Sequence, residues 1–596
     1  MNEEELLARL NGFEWNDFEC KRALRGVPED AYKTVSAFAN TAGGWLVFGV
    51  SEVNGRLEVT GVDDPDKIQN DFLAALRGGK KLNRVIGVDA HRFEIDGKHV
   101  FAFYVPELSR LDKPAYLKGD PRQSYLRRGA GDEQCTQSEL ERQLRDAAQE
   151  RYDGAALADI PVEECFDEAT VKWYQAQFAR RNPEHIEIAD PIAFLMNWNF
   201  IVEQGGQPLP TRAGVLLFGT GRYVRQILPR PVLDYQRIDR PFEQWSADER
   251  WHDRYVFEEN IFQTWQGLVA RYMRIAEHPF SLDPATLRRN DDPPDYVAFR
   301  EAAINLLIHQ DYGDHGRKAS IKLFTDRTVF WNPGDAFATE AELLDATEKE
   351  VRNPAIVKAF RRIGLSDQAG TGIRAIFRNW HELGRVPPQL TNDKARKEFE
   401  LVLVNKTLVT EAMRRFRQTL GTHLTPEQAD ALALALSLPV GQPLSLTAIR
   451  SLGISTTQQA RAVADHLVRQ QLLDPLSETQ FQVCETIKHR FAQETETQLQ
   501  DQIGTKSGLS RDQVGTKLAL SSEQRLVLAQ MADEHDIAGL MRWVGRSNRS
   551  KFREAVLSPL LELELVAMTI PDKPNSSKQR YRLTEKGKAL RDKVNG

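Results

Sequence analysis

The hydrophobic pattern changes character along the chain, and this limits the fold more than any other feature. Over residues 1–150, TAGGWLVFGVS and KHVFAFYVPEL read as buried strands, set between the helical patterns PEDAYKTVSAFAN and QSELERQLRDAAQE. Farther on, PPDYVAFREAAINLLIHQ predicts a helix, ASIKLFTDRTVFWNPG a strand pair, and EFELVLV a last strand. After Asn405 the chain turns helical and Gln-rich. A chain of 596 residues also exceeds what one hydrophobic core supports. The expectation is a multidomain α+β protein. Residues 1–150 form an α+β domain, 151–285 a connecting α/β region, and 286–405 a helix followed by an antiparallel sheet. Residues 406–519 and 520–596 each hold a helix-turn-helix with a wing. In the connecting region AGVLLFGTG and PVLDYQRID read as strands, and the stretch from Tyr255 to Glu277 reads as one long helix.

Composition narrows the function classes. No apolar run approaches the roughly 18 residues that cross a bilayer. The acidic start, MNEEELLARL, lacks the basic and apolar parts of a secretory signal, so the cytoplasm is expected. Cys20, Cys135, Cys165 and Cys484 form no CxxC pair, which points to reduced thiols and no structural zinc. A net charge of −6 gives no global attraction to phosphate, so a nucleic-acid site must be a local basic patch.

In NDFECKRAL, alternation puts Asp17, Glu19 and Lys21 on one strand face. An E-x-K on a strand suits metal-dependent nucleases, whose carboxylates hold Mg²⁺ or Mn²⁺ while a lysine orients water or stabilises charge. A solvated face with a surface ion pair reads equally well from these residues. EWNDFECK, TVSAFANTAGGWLVFGVSE and QSYLRRGAG together resemble the Schlafen core, or AlbA_2 domain. The resemblance implies a nucleic-acid-acting domain with an acidic, metal-binding trio at Glu14, Glu19 and Glu52, assisted by Lys21. At the third position the ribonucleases of that family carry Asp where this chain has Glu52. The trio shares a site only if the strand around Glu19 neighbours the strand from Trp45 to Val50. Tyr125, Arg127 and Arg128 offer stacking and phosphate contact, or simply an amphipathic edge strand.

In FREAAINLLIHQD, helical spacing puts Glu301 and Asn305 on one face. Alone the pair also reads as satisfied core polarity. With IKLFTDRTVFWNPGD, RNPAIV and QAGTGIRAIF it resembles the GHKL ATPases, in the branch often labelled RecG-like. That resemblance implies an α/β-sandwich ATPase domain in which Asn305 holds the Mg²⁺ of ATP and Glu301 is the general base. It places Gly370, Thr371 and Gly372 at the phosphates, and Asn332 and Gly334 where the family carries D-x-G-x-G, so the adenine-binding Asp is not evident. There is no GxxxxGK[ST] helicase motif. GHKL domains often dimerise around nucleotide, implying a homo-oligomer.

In the tail, Arg546, Arg549, Lys551 and Arg553 gather at a helix start, with Lys578 in the wing, a pattern suited to DNA or to protein contact. Two functions follow, beside a blander third, a scaffold whose ATP site sets assembly only. One is an ATP-regulated, metal-dependent endonuclease acting on RNA or DNA in defence against phage. The other is a transcriptional regulator with winged-helix DNA-binding domains and an ATP- or ligand-sensing module, without nuclease chemistry. No membrane partner is expected.

Overall fold

The computed structural model describes residues 1–492 apart from 12–15, 54–55, 78, 80, 150, 186–187, 247–250, 276–293, 346, 367–371 and 440. Beyond 492 it describes 493–494, 524, 527, 531, 535–544, 552–562, 565–569 and 579–584. The chain divides into two compact units, Met1–Ala492 and Gln493–Gly596.

The first unit begins with a helix, Glu3–Leu10, and its leading strands are β1 (Phe18–Lys21), β2 (Gly44–Phe48), β3 (Val50–Val53), β4 (Arg56–Val59), β5 (Asp89–Ile95), β6 (Lys98–Val105), β7 (Tyr125–Arg128) and β8 (Gly131–Gln134). Four make a sheet in the order β1-β2-β6-β5, with β1 parallel to β2 and Glu19 opposite Leu46. The strand expected from Trp45 to Val50 divides at Gly49, after which β3 leaves the sheet to pair with β4. The helix Asp30–Asn40 packs its Val35 and Phe38 into a core with Phe48, Phe72 and Phe103. Its terminal Asn40 is buried, and its amide nitrogen donates to the carbonyls of Ala115 at 2.8 Å and Tyr125 at 3.1 Å. One side chain thereby fixes β7 against the helix, because a buried amide must find partners.

A hairpin of β9 (Ile201–Gln204) and β10 (Gln207–Pro210) precedes a second sheet. Its strands are β11 (Leu233–Arg237), β12 (Asp253–Phe257), β13 (Ser320–Leu323), β14 (Arg327–Pro333), β15 (Gln389–Asp393) and β16 (Glu398–Val404), in the order β12-β11-β13-β14-β16-β15. The connecting region therefore supplies two strands of the same sheet that holds β13 to β16. The helix Pro294–His309 shares one core with it, through Phe299, Ala303, Leu307, Ile321, Phe330 and Leu401.

Two expectations are corrected in this region. AGVLLFGTG is a helix, Arg212–Phe218, rather than a strand. Every residue from Ala213 to Phe218 is buried, so no amphipathic period marks it, and the Thr211 hydroxyl caps it by accepting from the Gly214 N–H at 3.1 Å. The stretch from Tyr255 to Glu277 is not one helix. β12 ends at Phe257, and a separate helix, Ile261–Tyr272, starts behind Asn260, whose side chain accepts from the Gln263 N–H at 2.9 Å.

Residues 406–492 contribute helices Pro426–Ser437, Leu446–Arg450 and Thr457–Arg469, then a small sheet of Leu444–Ser445, Leu473–Pro475 and Gln480–Val483. The second unit has its own core, in which Leu540, Phe552, Leu560 and Tyr581 meet, and a strand pair Val566–Met568 with Tyr581–Leu583. Among the described residues no helix is long and apolar enough to cross a membrane.

Candidate functional site

A cavity of about 570 Å³ opens beside the helix Pro294–His309, within the range that takes a nucleotide-sized ligand. Glu301 and Asn305 both line it, as four-residue spacing on a helix requires. The Asn305 amide nitrogen donates to the Glu301 carbonyl at 2.8 Å. Gly372 opens the helix Gly372–Glu382, and a Cβ built there would sit 3.0 Å from that same nitrogen. Glycine thus keeps a backbone-lined cradle open beside Asn305, at a helix N-terminus whose N–H groups favour anions. Gly370 and Thr371 lie outside the described residues.

The wall opposite carries Asn332, Gly334 and Asp335. Asn332 is buried and donates to the carbonyls of Pro333 and Gly334 at 3.2 Å each, so it ties down the turn. Gly334 has φ +99°, and a Cβ there would meet the Asp311 backbone nitrogen at 2.9 Å. Asp335 is paired with Arg352 and Lys397 at 3.0 Å each. Burial raises its pKa, but Lys397, Arg352 and Lys113 more than offset this and keep it below the usual carboxylate value. His309 also faces the cavity, and burial together with Arg352 pushes its pKa down to about 4, leaving it neutral at pH 7.

One end of the cavity is cationic, lined by Lys349, Arg374, Arg378 and Arg450. The Nε atoms of Arg352 and Arg450 are buried without a hydrogen-bond partner among the described residues. Glycine cradle, unmet donors and a Glu/Asn pair fit a polyanionic nucleotide with Mg²⁺, an ion that keeps waters and phosphate oxygens as most of its ligands. Asn305 and Glu301 would hold that ion or its waters. Arg352, Lys349, Arg374 and Arg450 went unnoticed as site residues in the sequence. RNPAIV offered the one local signal, its Asn353 donating to the Ile308 and Gln310 carbonyls at 3.0 and 2.8 Å behind the cavity helix.

The α+β domain of residues 1–150, the front module, reaches this cavity by ion pairs. From the helix Gln137–Ala147, Asp146 accepts from Arg352 at 2.5 Å, Arg145 donates to Asp311 at 2.5 Å, and Arg142 to Asp314 at 2.8 Å. Arg110 donates to Glu350, another lining residue, at 2.7 Å.

In the front module itself, Glu19 is 5% exposed and accepts from Lys21 Nζ at 2.5 Å and Arg127 Nη2 at 2.8 Å. Burial lowers the Lys21 pKa, but Glu19 and Asp30 reverse this and leave it above the usual value. β1 and β2 are neighbours, which brings Glu19 beside the strand leading to Glu52; that residue stands exposed on β3. Glu14 lies outside the described residues, and among those described no three His, Cys, Asp or Glu side chains gather to hold a metal.

Arg127, expected either to contact nucleic acid or to belong to an amphipathic edge strand, points inward. Its side chain is 1% exposed, bridges Glu19 and Asp132 at 2.8 and 2.9 Å, and donates to the Phe18 carbonyl at 3.1 Å. Period-two alternation of Tyr, Leu and Arg looks the same on a ligand face and an inner one; here the acids are inside. Tyr125 is likewise buried, its hydroxyl donating to Gln123 at 3.2 Å. Arg128 is paired with Glu133 and Glu139 and reaches the Ala395 carbonyl. In the tail, Arg553 is half-buried, whereas Arg546, Arg549, Lys551 and Lys578 lie outside the described residues.

Four family models match the chain: "Schlafen, AlbA_2" over 14–136, "Putative ATP-dependent DNA helicase recG C-terminal" over 316–403, "Filamentation induced by cAMP protein Fic-like, C-terminal domain" over 510–584, and a domain of unknown function, DUF8451, over 141–234. No curated protein matches. Among solved structures, the DIP2311 protein of Corynebacterium diphtheriae is similar at 17% identity and TM-score 0.37, over 94% of this chain and 91% of that one. The N-terminal domain of a RecG-related protein from Nitrosomonas europaea is 30% identical over 23% of this chain and 95% of its own, at TM-score 0.19. A Fic family protein from Desulfovibrio desulfuricans G20 is 16% identical over 41% of this chain and 69% of its own, at TM-score 0.11.

Proposed function

We propose that this chain, a multidomain protein joining a Schlafen AlbA_2 domain at 14–136 to a RecG C-terminal-type ATPase domain at 316–403, is an ATP-regulated protein acting on nucleic acid. The observation that carries the reading is the cavity in which Glu301, Asn305 and Gly372 meet a cationic end. The front module supplies the nucleic-acid surface, the helical segments after 405 act as winged-helix contacts, and ATP occupancy sets when they engage. The test is binding of ATP to the purified chain, with Asn305→Ala and Gly372→Ala as variants, followed by binding of tRNA and of single- and double-stranded DNA with and without ATP. ATP affinity that survives both substitutions would contradict the site.

A metal-dependent endonuclease, serving defence against phage, is the finer form of this reading. The pairing of β1 with β2 favours it, because it sets Glu19 next to the strand that delivers Glu52. Against cutting stands the engagement of Glu19 by two cations, which leaves a carboxylate less to offer a metal. With Mn²⁺ or Mg²⁺, cleavage lost in Glu14→Ala and Glu52→Ala supports the nuclease. Tight binding without cleavage under every condition leaves the regulator, a DNA-binding protein without chemistry.

A further inference from the structure

The cationic end of the nucleotide cavity is completed from outside the lobe that builds the rest of it. Arg450, Gly453 and Ile454 line the cavity, yet they belong to the helix Leu446–Arg450 and the turn behind it, in the helical segment beyond residue 405. Arg450 is only 6% exposed. Its Nη2 donates to Asp345 at 2.6 Å, its Nη1 to the Ala341 carbonyl at 3.4 Å, and its Nε to no acceptor among the described residues. A buried guanidinium N–H left unmet is costly, so this donor calls for an acceptor that the protein does not supply.

The surroundings say what acceptor fits. Burial lowers the pKa of Lys349, and the charges of Arg374 and Arg450 push the same way against Asp345 and Glu342, so Lys349 stands within electrostatic reach of both arginines. Arg374 lies two residues beyond Gly372, on the helix whose first turn borders Asn305. A helix N-terminus opened by glycine suits a phosphate better than a base. Asp345 is a weak competitor, since its side chain is 44% exposed and its pair with Arg450 is screened by water. A phosphate group carries more charge and accepts from a guanidinium in a fixed fork geometry.

We infer that Arg450 is a phosphate ligand of the bound nucleotide, so that a di- or triphosphate draws the 406–492 segment onto the cavity while a nucleoside does not. The inference rests on the nucleotide reading of the cavity given above. It makes the helical segment, which also meets the helix Gly372–Glu382 through the His381–Asp430 pair at 2.9 Å, the part of the molecule that reports nucleotide state.

Titration of the full-length chain with ATP, ADP and adenosine, in wild type, Arg450→Ala and Arg450→Lys, tests it. Arg450→Ala lowers ATP affinity roughly ten- to a hundredfold, as loss of a charged hydrogen bond does, and leaves adenosine affinity unchanged. Arg450→Lys falls between. In wild type, ATP slows amide exchange at 446–454 and adenosine does not. Unchanged ATP affinity in Arg450→Ala overturns the inference but leaves the nucleotide site standing. An equal fall for ATP and adenosine marks a structural role and also overturns it, as does exchange at 446–454 that ignores ATP. A wild type that binds no nucleotide overturns both readings.

Discussion

Replacing Arg127 with Met removes the charge that two buried carboxylates share while keeping an apolar stem of similar length. The guanidinium bridges Glu19 and Asp132 at 2.8 and 2.9 Å, and all three side chains are largely shielded from water. Each charged hydrogen bond is worth about 1.5–3 kcal/mol, which sets a gross loss of roughly 3–6 kcal/mol for the pair. Two compensations pull the value down: Glu19 keeps Lys21 at 2.5 Å, and Asp132 keeps the Thr34 hydroxyl at 2.6 Å. The net expectation is about 3 kcal/mol, at the lower edge of what breaking a buried pair costs. A multidomain chain has no single unfolding free energy, so the measurement must be local. Hydrogen exchange of the β1 and β2 amides, read against amides of the nucleotide lobe, should speed up on the order of a hundredfold in the front module alone. The reasoning fails if exchange is unchanged while affinity for nucleic acid falls, because Arg127 would then be facing a ligand and not holding the module together.

Gly372→Ala places a Cβ 3.0 Å from the Asn305 amide nitrogen, so ATP affinity should fall about tenfold with the circular dichroism spectrum unaltered, since alanine suits a helix. Asp153 is fully buried and accepts from the Ala355 and Ile356 N–H groups at 2.8 and 3.1 Å; burial outweighs those donors and lifts its pKa to about 6 from 3.8. An acid with a raised folded pKa binds more protons in the folded state, so local stability of the helix Pro354–Arg362 should fall as pH rises from about 4 to about 6 and level off above. Asp153→Asn should flatten that dependence, and exchange rates at pH 4.5 and 7 in equal ratio for both proteins would count against it. Asp146→Asn keeps a hydrogen bond to Arg352 but removes its charge; exchange in the helix Gln137–Ala147 should speed up severalfold, and an unchanged rate would show that the pair does not hold the front module.

The legible parts of this protein are those whose chemistry is carried by near neighbours in sequence. Glu301 and Asn305 are four apart on a helix, and the β13–β14 pair is bounded by the turn residues Thr325 and Asp326, so the cavity wall could be read in advance. Periodicity failed where burial is complete, as in Ala213 to Phe218, because a helix with no wet face has no apolar stripe. At Arg127 alternation gives the side chain's face but not which face holds the core. Arg450 was out of reach for a different reason: nothing near it in sequence marks a phosphate ligand, and only the folded chain brings it to Arg374 and Lys349.

The arrangement of charge explains why one cavity can matter to every part of the first unit. Arg352 is shared between Asp335 in the cavity wall and Asp146 in the front module, Glu350 is shared between the cavity and Arg110, and Arg450 spans the cavity and Asp345. The two Arg352 pairs are buried, so a phosphate-bearing ligand entering beside them changes the field there by far more than at Glu350 and Asp345, whose side chains are 45% and 44% exposed. Arg352 has one unmet donor and two carboxylates already competing for it. An added anion that draws on Arg352, rather than on the neighbouring Lys349, Arg374 or Arg450, competes with Asp335 and Asp146 for one guanidinium. On the proposed reading, a ligand that draws on Arg352 is linked by mass action to the pair with Asp146, and by reciprocity each alters the other by the same factor.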